Sequence, residues 1–231
     1  MLMRLRLGIQ IAAILFIKAQ KMSLLECLVG ITLCVLLLNP LLKTSSDLMA
    51  KQIQYEKTQA LATEAERALE LIGRAIRMAG YQNIKSNNSS FGRNSSHPPI
   101  EIQKGNGYQR SDSLVIRHQL SDGIDFDCLG NVLTSERTKN DLALQGFLVN
   151  QQAGVAKGAK VNGGSLMCQS LDRQGRIQNT TLMNGINALR IEGLGAQSSL
   201  GQRSFRIILE MTDGAMIQKA FERTFTTRNL P

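Results

Sequence analysis

The residues whose types and spacing could carry chemistry are few in this sequence of 231 residues. One acidic residue, Glu26, lies near the start of an apolar run from Met22 to Leu42. Two cysteines, Cys128 and Cys168, lie in the more polar remainder of the chain. A carboxylate in an apolar segment requires a donor or a cation, and cysteines in an oxidising compartment tend to form a disulfide. These residues therefore offer ion pairing and cross-linking.

Catalytic and metal-binding patterns are absent from the sequence. Its only histidines, His97 and His118, accompany no nucleophile motif, and we expect both to lie in solvent or on a sheet face. There is no CxxC, HExxH, GxSxG or P-loop. The acidic residues Asp122, Asp125 and Asp127 could hold Ca²⁺, but they lack the EF-hand spacing. We therefore predict a protein that is not an enzyme, with no cofactor and no metal site.

The N-terminal region contains one segment of membrane-spanning length. Residues 1–21 form a basic leader with Arg4, Arg6 and a short apolar stretch, and residues 22–42 would rise about 31 Å as a helix. No second such block follows Leu42, which excludes a polytopic membrane protein. Because basic residues stay in the cytoplasm, we expect a single-pass inner-membrane protein whose residues after 42 are exported. Export favours a disulfide between the two distal cysteines, the alternative being two buried thiols.

Glu26 has two interpretations at this stage. Ser23 and Glu26 are three residues apart just before the apolar run, which is the pattern of a helix capping box. Alternatively, the carboxylate has a functional partner in the membrane.

The chain after Leu42 predicts a helical stem and then a sheet. A 4-3-4-3 apolar stripe (Ala65, Leu69, Ile72, Ile76 and Ala79) marks residues 43–81 as an amphipathic helix that stops at Gly80. Pro40 would kink one long helix or divide it into two. Residues 82–111 read as a long loop with one short strand, Ile100–Gln103. Further strands are predicted at 113–120, 146–151, 165–170, 186–193, 205–211 and 217–226, with a hairpin turn at 212–214. We therefore predict an α+β fold in which the stem packs on a mainly antiparallel sheet within an exported domain, residues 82–231.

The charge of the chain gives little evidence for nucleic-acid binding. Of the net charge of +9, residues 43–231 hold +6, spread without a dense basic run. The candidates for a basic face are Lys157, Lys160, Arg173 and Arg176. Contact with DNA during uptake is therefore a weakly supported alternative function.

The N-terminal sequence resembles that of type IV pilins and pseudopilins. The resemblance lies in a basic leader, the pentad Met22-Ser23-Leu24-Leu25-Glu26 and an unbroken apolar helix. It implies that a prepilin peptidase cuts before Met22 and methylates the new amine, and that Glu26 pairs with the amine of a neighbouring subunit. Lys21 stands before the cut, where the family has glycine.

Several later segments are similar to those of minor pilins of the PilW type. They occur in the family's order and are Glu70–Arg74 with Arg77–Tyr81, Asp112–Arg117, Asp127–Asn131, Gly164–Cys168 and Phe225–Leu230. The resemblance implies that Cys128 pairs with Cys168. It also implies a minor pilin that helps to prime or build a type IV pilus, with other minor pilins, the major pilin, the inner-membrane assembly platform and membrane lipid as partners. After assembly, such a subunit is extracellular. A pseudopilin of a type II secretion system is the alternative.

Overall fold

The structure, a computed structural model, describes residues 23–83, 98–138, 141–153, 163–195 and 202–229. The predicted leader therefore lies outside the described residues. The chain forms two compact units, one ending at Tyr55 and one beginning at Glu56. The elements within the described residues are helix α1 (Leu24–Met78), a short 3₁₀ helix (Tyr108–Arg110) and strands β1 (Ile100–Gln103), β2 (Ser113–Gln119), β3 (Asp125–Phe126), β4 (Val132–Leu133), β5 (Leu142–Asn150), β6 (Gly164–Leu171), β7 (Ile177–Leu194), β8 (Ser204–Thr212) and β9 (Gln218–Thr226).

The first unit contains the N-terminal part of α1. Every described side chain from Ser23 to Tyr55 is exposed, including the leucines between Leu24 and Leu42. The helix does not break at Pro40, so the alternative of two helices is wrong. Just after the proline, the Thr44 hydroxyl donates to the Pro40 carbonyl at 3.0 Å. A helix that is apolar on all sides and uncovered by protein has the character of a membrane span.

The second unit buries one face of the C-terminal part of α1. The predicted stripe is confirmed, because Ala65, Leu69, Ile72, Ile76 and Ala79 are all at most 1% exposed. After the helix, Gly80 adopts φ +72°, a left-handed conformation that favours glycine at a helix end. Its N–H donates to the Arg117 carbonyl at 3.0 Å, which joins the helix end to the sheet.

The sheet that covers this face has seven strands in the order β1-β2-β5-β6-β7-β8-β9, and every neighbouring pair is antiparallel. Strands β3 and β4 form a separate hairpin. The fold is therefore α+β, with a long helix on an antiparallel sheet, as predicted. Strands β5 and β7 begin well before their predicted ranges, at Leu142 and Ile177.

Strand β9 is held against the helix by ion pairs and by one close packing contact. The Arg223 guanidinium lies 2.8 Å from the Glu66 carboxylate and 3.6 Å from that of Glu70. Phe225, only 5% exposed, lies directly over Gly73 of α1. The missing side chain of Gly73 is thus what allows the last strand to approach the helix.

We expect Gly73→Ala to lower the free energy of unfolding by about 1 kcal/mol. A Cβ at this position would overlap the Phe225 ring, and overpacking costs about 1–3 kcal/mol, against about 1 kcal/mol gained in helix propensity. Chemical denaturation would measure the change. The smaller side chain in Gly73→Ala/Phe225→Leu should recover part of the loss, and a Gly73→Ala protein more stable than wild type would contradict this packing.

Candidate assembly site and the cross-linked domain

Glu26 lies in the first turn of α1, and its carboxylate reaches back to the start of the helix. The backbone N–H of Ser23 donates to Glu26 Oε2 at 3.1 Å, and the Ser23 hydroxyl oxygen accepts the N–H of Leu25 at 3.4 Å. The Ser23 carbonyl accepts the N–H of Glu26 at 2.9 Å. The Ser23–Glu26 contact is the glutamate half of a capping box, while the Ser23 hydroxyl caps the N–H of Leu25 in place of that of Glu26. The capping interpretation of Glu26 is therefore confirmed.

The Glu26 carboxylate can accept more hydrogen bonds than the one that caps the helix. A carboxylate has about four acceptor positions, and a single neutral N–H offsets little of the cost of holding the charge in lipid. Both Leu24 and Leu25 beside it are more than two-thirds exposed. The capped geometry turns the carboxylate toward the backbone that would follow a new N-terminus at Met22. Lys21 and Met22 themselves lie outside the described residues.

The disulfide between Cys128 and Cys168 is present, as predicted. Cys168 lies in the middle of β6 and is fully buried, whereas Cys128 lies in the turn between β3 and β4 and is 5% exposed. Their Cα atoms are 6.0 Å apart. The bond therefore fastens the β3–β4 hairpin to a central strand of the sheet.

Asp127 shapes the turn that presents Cys128. Its buried carboxylate accepts the backbone N–H groups of Leu129 and Asn131 at 2.9 and 2.8 Å. Gly130 completes the turn with φ +83°. Arg137 lies 3.6 Å from the same carboxylate, so the buried charge has a cationic neighbour. The Asp-Cys-Leu-Gly-Asn segment is thus a self-contained turn motif.

The three acidic residues considered for Ca²⁺ are engaged in separate contacts. Asp122 accepts the Asn83 side-chain amide at 2.8 Å, and Asp125 accepts the Ser121 hydroxyl at 2.9 Å. Asp127 has the turn contacts described above. Among the described residues, no group of three or more histidines, cysteines or carboxylates has the geometry to hold a metal.

His118 lies on a sheet face in β2, which is one of the two expected positions, and it is buried there. It pairs in register with Ala143, which packs with Leu120 and Leu133 in a small hydrophobic cluster. The residue is 1% exposed, and its Nδ1 has no hydrogen-bond partner. Burial lowers the pKa of His118, and the nearby Asp125 carboxylate only partly opposes this effect. The second histidine, His97, lies outside the described residues.

We expect the stability of the domain to fall as the pH drops from 7 toward 5 because of His118. The unfolded state takes up a proton near the ordinary histidine pKa of about 6.5, whereas the folded state, whose pKa is lowered, does not. One proton contributes a slope of at most about 1.4 kcal/mol per pH unit. Denaturation at pH 7 and pH 5 would measure this slope, and His118→Gln should remove it. An equal slope in both proteins would mean that other groups control the pH dependence.

Of the four basic residues considered for a DNA-binding face, the structure describes only Arg173 and Arg176. Lys157 and Lys160 lie outside the described residues. Arg176 pairs with Asp172 at 2.8 Å within the β6–β7 turn, which offsets its charge. Arg173 lies in the same turn and is exposed.

Sequence reasoning missed a buried carboxylate, Asp112, just before β2. Its side chain accepts the Ile191 N–H at 2.8 Å, the Gly105 N–H at 3.0 Å and the Lys104 ammonium at 2.9 Å. Burial raises the pKa of Asp112, but the hydrogen bonds from Lys104, Ile191 and Gly105 outweigh it and lower the pKa overall. The residue fastens the loop before β2 to β7, and the sequence gives no local pattern for such a distant partner.

Comparison of the chain with protein-family models, curated proteins and solved structures finds no match. The architecture itself is therefore the only basis for comparison. A long N-terminal apolar helix packs its C-terminal part on an antiparallel sheet, which is consistent with a pilin-like fold. The helix is long and apolar enough to cross a membrane, and the disulfide indicates an extracytoplasmic domain.

Proposed function

We propose that this protein is a minor pilin, a low-abundance subunit that helps to prime or build a type IV pilus. The observation that carries the proposal is the division of α1 into two parts of different character. Residues 24–42 are predominantly apolar and exposed on all sides, whereas residues 65–79 bury one face against the sheet. One element thereby provides both a membrane anchor and the spine of an exported domain. The proposed role is structural rather than enzymatic.

In this role, the N-terminal part of α1 holds the subunit in the inner membrane until assembly. Prepilin peptidase cuts between Lys21 and Met22, and the new amine is methylated. Glu26 then pairs with the N-terminal amine of a neighbouring pilin, since an anionic side chain in lipid is stabilised by an opposite charge. The assembly platform moves the subunit outward, and lipid contacts are exchanged for contacts with other apolar helices.

The cross-linked domain suits the same role. A subunit that leaves the cytoplasm and ends on a surface filament works in an oxidising environment, where disulfides persist. Cys128 and Cys168 tie the β3–β4 hairpin to β6, so the surface that this hairpin presents is fixed. A fixed surface is what a neighbouring subunit needs in order to dock repeatedly in one orientation.

Deletion of the gene would distinguish a pilus subunit from a pseudopilin of a secretion system. We expect the number of surface pili to fall while type II secretion continues at the wild-type rate, and expression of the wild-type chain should restore the pili. Electron microscopy and assay of a secreted enzyme provide the two readouts. Loss of secretion with normal piliation would favour the pseudopilin instead.

A further inference from the structure

Among the described residues, strand β7 has an open backbone edge along its first half. Residues 177–184 pair with β6 on one side, whereas the pairing with β8 begins only at Ile186 and continues to Leu194. Within the described parts of the chain, no other strand lies beside the outer edge of 177–184. The N–H and C=O groups on that edge therefore have no strand partner there.

This edge lacks two of the features that usually prevent strand addition, charge and proline, although the register of β7 against β6 shifts at Leu182 and Gly185. Exposed edges are normally protected by charged residues, proline, β-bulges or short length. The sequence from Ile177 to Leu189 contains no Asp, Glu, Lys, Arg or Pro. In contrast, the sheet edge formed by β9 contains Lys219, Glu222 and Arg223, and the four-residue edge strand β1 contains Glu101.

The open edge is accessible and held in place. Asn179, Thr180 and Thr181 are exposed. Thr180 is the register partner of Cys168, so the cross-linked residue of β6 lies directly beside the edge. At the end of the hairpin, Asp172 accepts the N–H groups of Gln174 and Arg176, both at 2.8 Å, which fixes the turn.

The shape of this edge selects one kind of occupant. Eight residues extend about 26 Å, and the slot closes at Gly185 because β8 occupies the next position along β7. If a second copy of the chain paired with this edge symmetrically, the β6–β7 turn of each copy would collide with the turn that follows β8 in the other copy. A linear extended segment, in contrast, enters from the open end without this conflict.

We infer that residues 177–184 accept an extended, largely uncharged segment of another protein, which adds to β7 as a further antiparallel or parallel strand. Backbone hydrogen bonds would hold the segment, as in other cases of strand addition. The absence of charge along the edge favours uncharged, β-branched residues in the partner, since these suit the exposed threonines and Ile177. The inference concerns the sheet edge alone and does not depend on the role of Glu26 or on the identity of the filament.

Photo-crosslinking in the native cell would test the inference on the full chain. Benzoylphenylalanine is placed at Asn179 or at Thr181, and the crosslinked peptides are sequenced by mass spectrometry. Both positions should link to one other protein, at residues two apart, because alternate residues of paired strands share a face. The matched position Thr224, an exposed threonine on the charged edge strand β9, should give no such pair of links.

A charged substitution provides the second arm of the test. Thr181→Lys should reduce the crosslink from Asn179 by about tenfold or more, because an edge lysine opposes strand addition, whereas Thr224→Lys should leave it unchanged. Thermal unfolding of both variants should match wild type. If Thr181→Lys does not fold, Asn179→Lys with the crosslinker at Thr181 replaces it. The inference would be overturned if the crosslinks joined a second copy of the chain or another part of the same chain. It would also be overturned if the links were spaced three or four residues apart, or if none formed.

Discussion

Replacing both Cys128 and Cys168 by alanine is expected to lower the free energy of unfolding by about 4 kcal/mol. The bond closes a loop between residues 40 apart in the sequence, and the loss of chain entropy in the unfolded state accounts for a stabilisation of that size. Urea denaturation of the full chain in detergent would measure the effect. Since typical domains are stable by only about 5–15 kcal/mol, the variant should be close to unfolding at the growth temperature.

The matched control uses the two cysteines of the apolar helix. Cys27 and Cys34 are unpaired and exposed in the described chain, so replacing both by alanine should leave the free energy of unfolding of the domain unchanged. A reducing agent should destabilise wild type and this control equally, and should not affect the Cys128/Cys168 variant. Equal stability of oxidised and reduced wild type would contradict a stabilising role for the bond.

Glu26→Ala and Glu26→Gln are both expected to reduce incorporation into filaments more than a hundredfold. Removing one partner of a buried ion pair costs about 3–5 kcal/mol, and every 1.4 kcal/mol corresponds to a factor of ten. Membrane insertion should remain intact, since each change removes a charge from an apolar helix. Quantitative immunoblotting of membranes and of sheared filaments would separate the two effects.

The glutamine variant separates the assembly role from the cap. Glutamine keeps an acceptor for the Ser23 N–H and so preserves the capping box, but it cannot form an ion pair. If the cap alone matters, Glu26→Gln should assemble normally and Glu26→Ala should lose only about 1 kcal/mol of helix-end stability. If the ion pair matters, both variants should fail alike.

Lys21, the residue before the proposed cleavage site, provides a further comparison for Glu26. The role of this glutamate requires a free amine at Met22, so Lys21→Gly should leave incorporation equal to wild type or raise it. The effect of Glu26→Gln should appear in both backgrounds. Normal assembly of the Glu26 variants in both backgrounds would contradict the assembly role.

The features that the sequence predicted well are those with a local cause. The stripe on α1 follows from helical periodicity, and the strand around Phe205 to Met211 follows from strict alternation of apolar and polar residues. The capping box of Ser23 and Glu26 involves residues only three apart. In each case the deciding contacts lie within one element, so the sequence pattern contains the information.

The features that the sequence did not predict depend on distant partners. The first half of β7, with Asn179, Thr180 and Thr181, has largely exposed polar side chains on both faces and therefore no alternation of apolar and polar residues. His118 lies in an alternating strand, but its burial depends on residues from β4 and β5.

The measurement that tests the proposed function most directly is mass spectrometry of filaments sheared from the cell surface. We expect peptides of the exported domain in amounts far below those of the major pilin, together with an N-terminal peptide that begins at methylated Met22. The account would be contradicted if the filaments lacked the chain and the membrane retained it at its full mass, with residues 1–21 still attached.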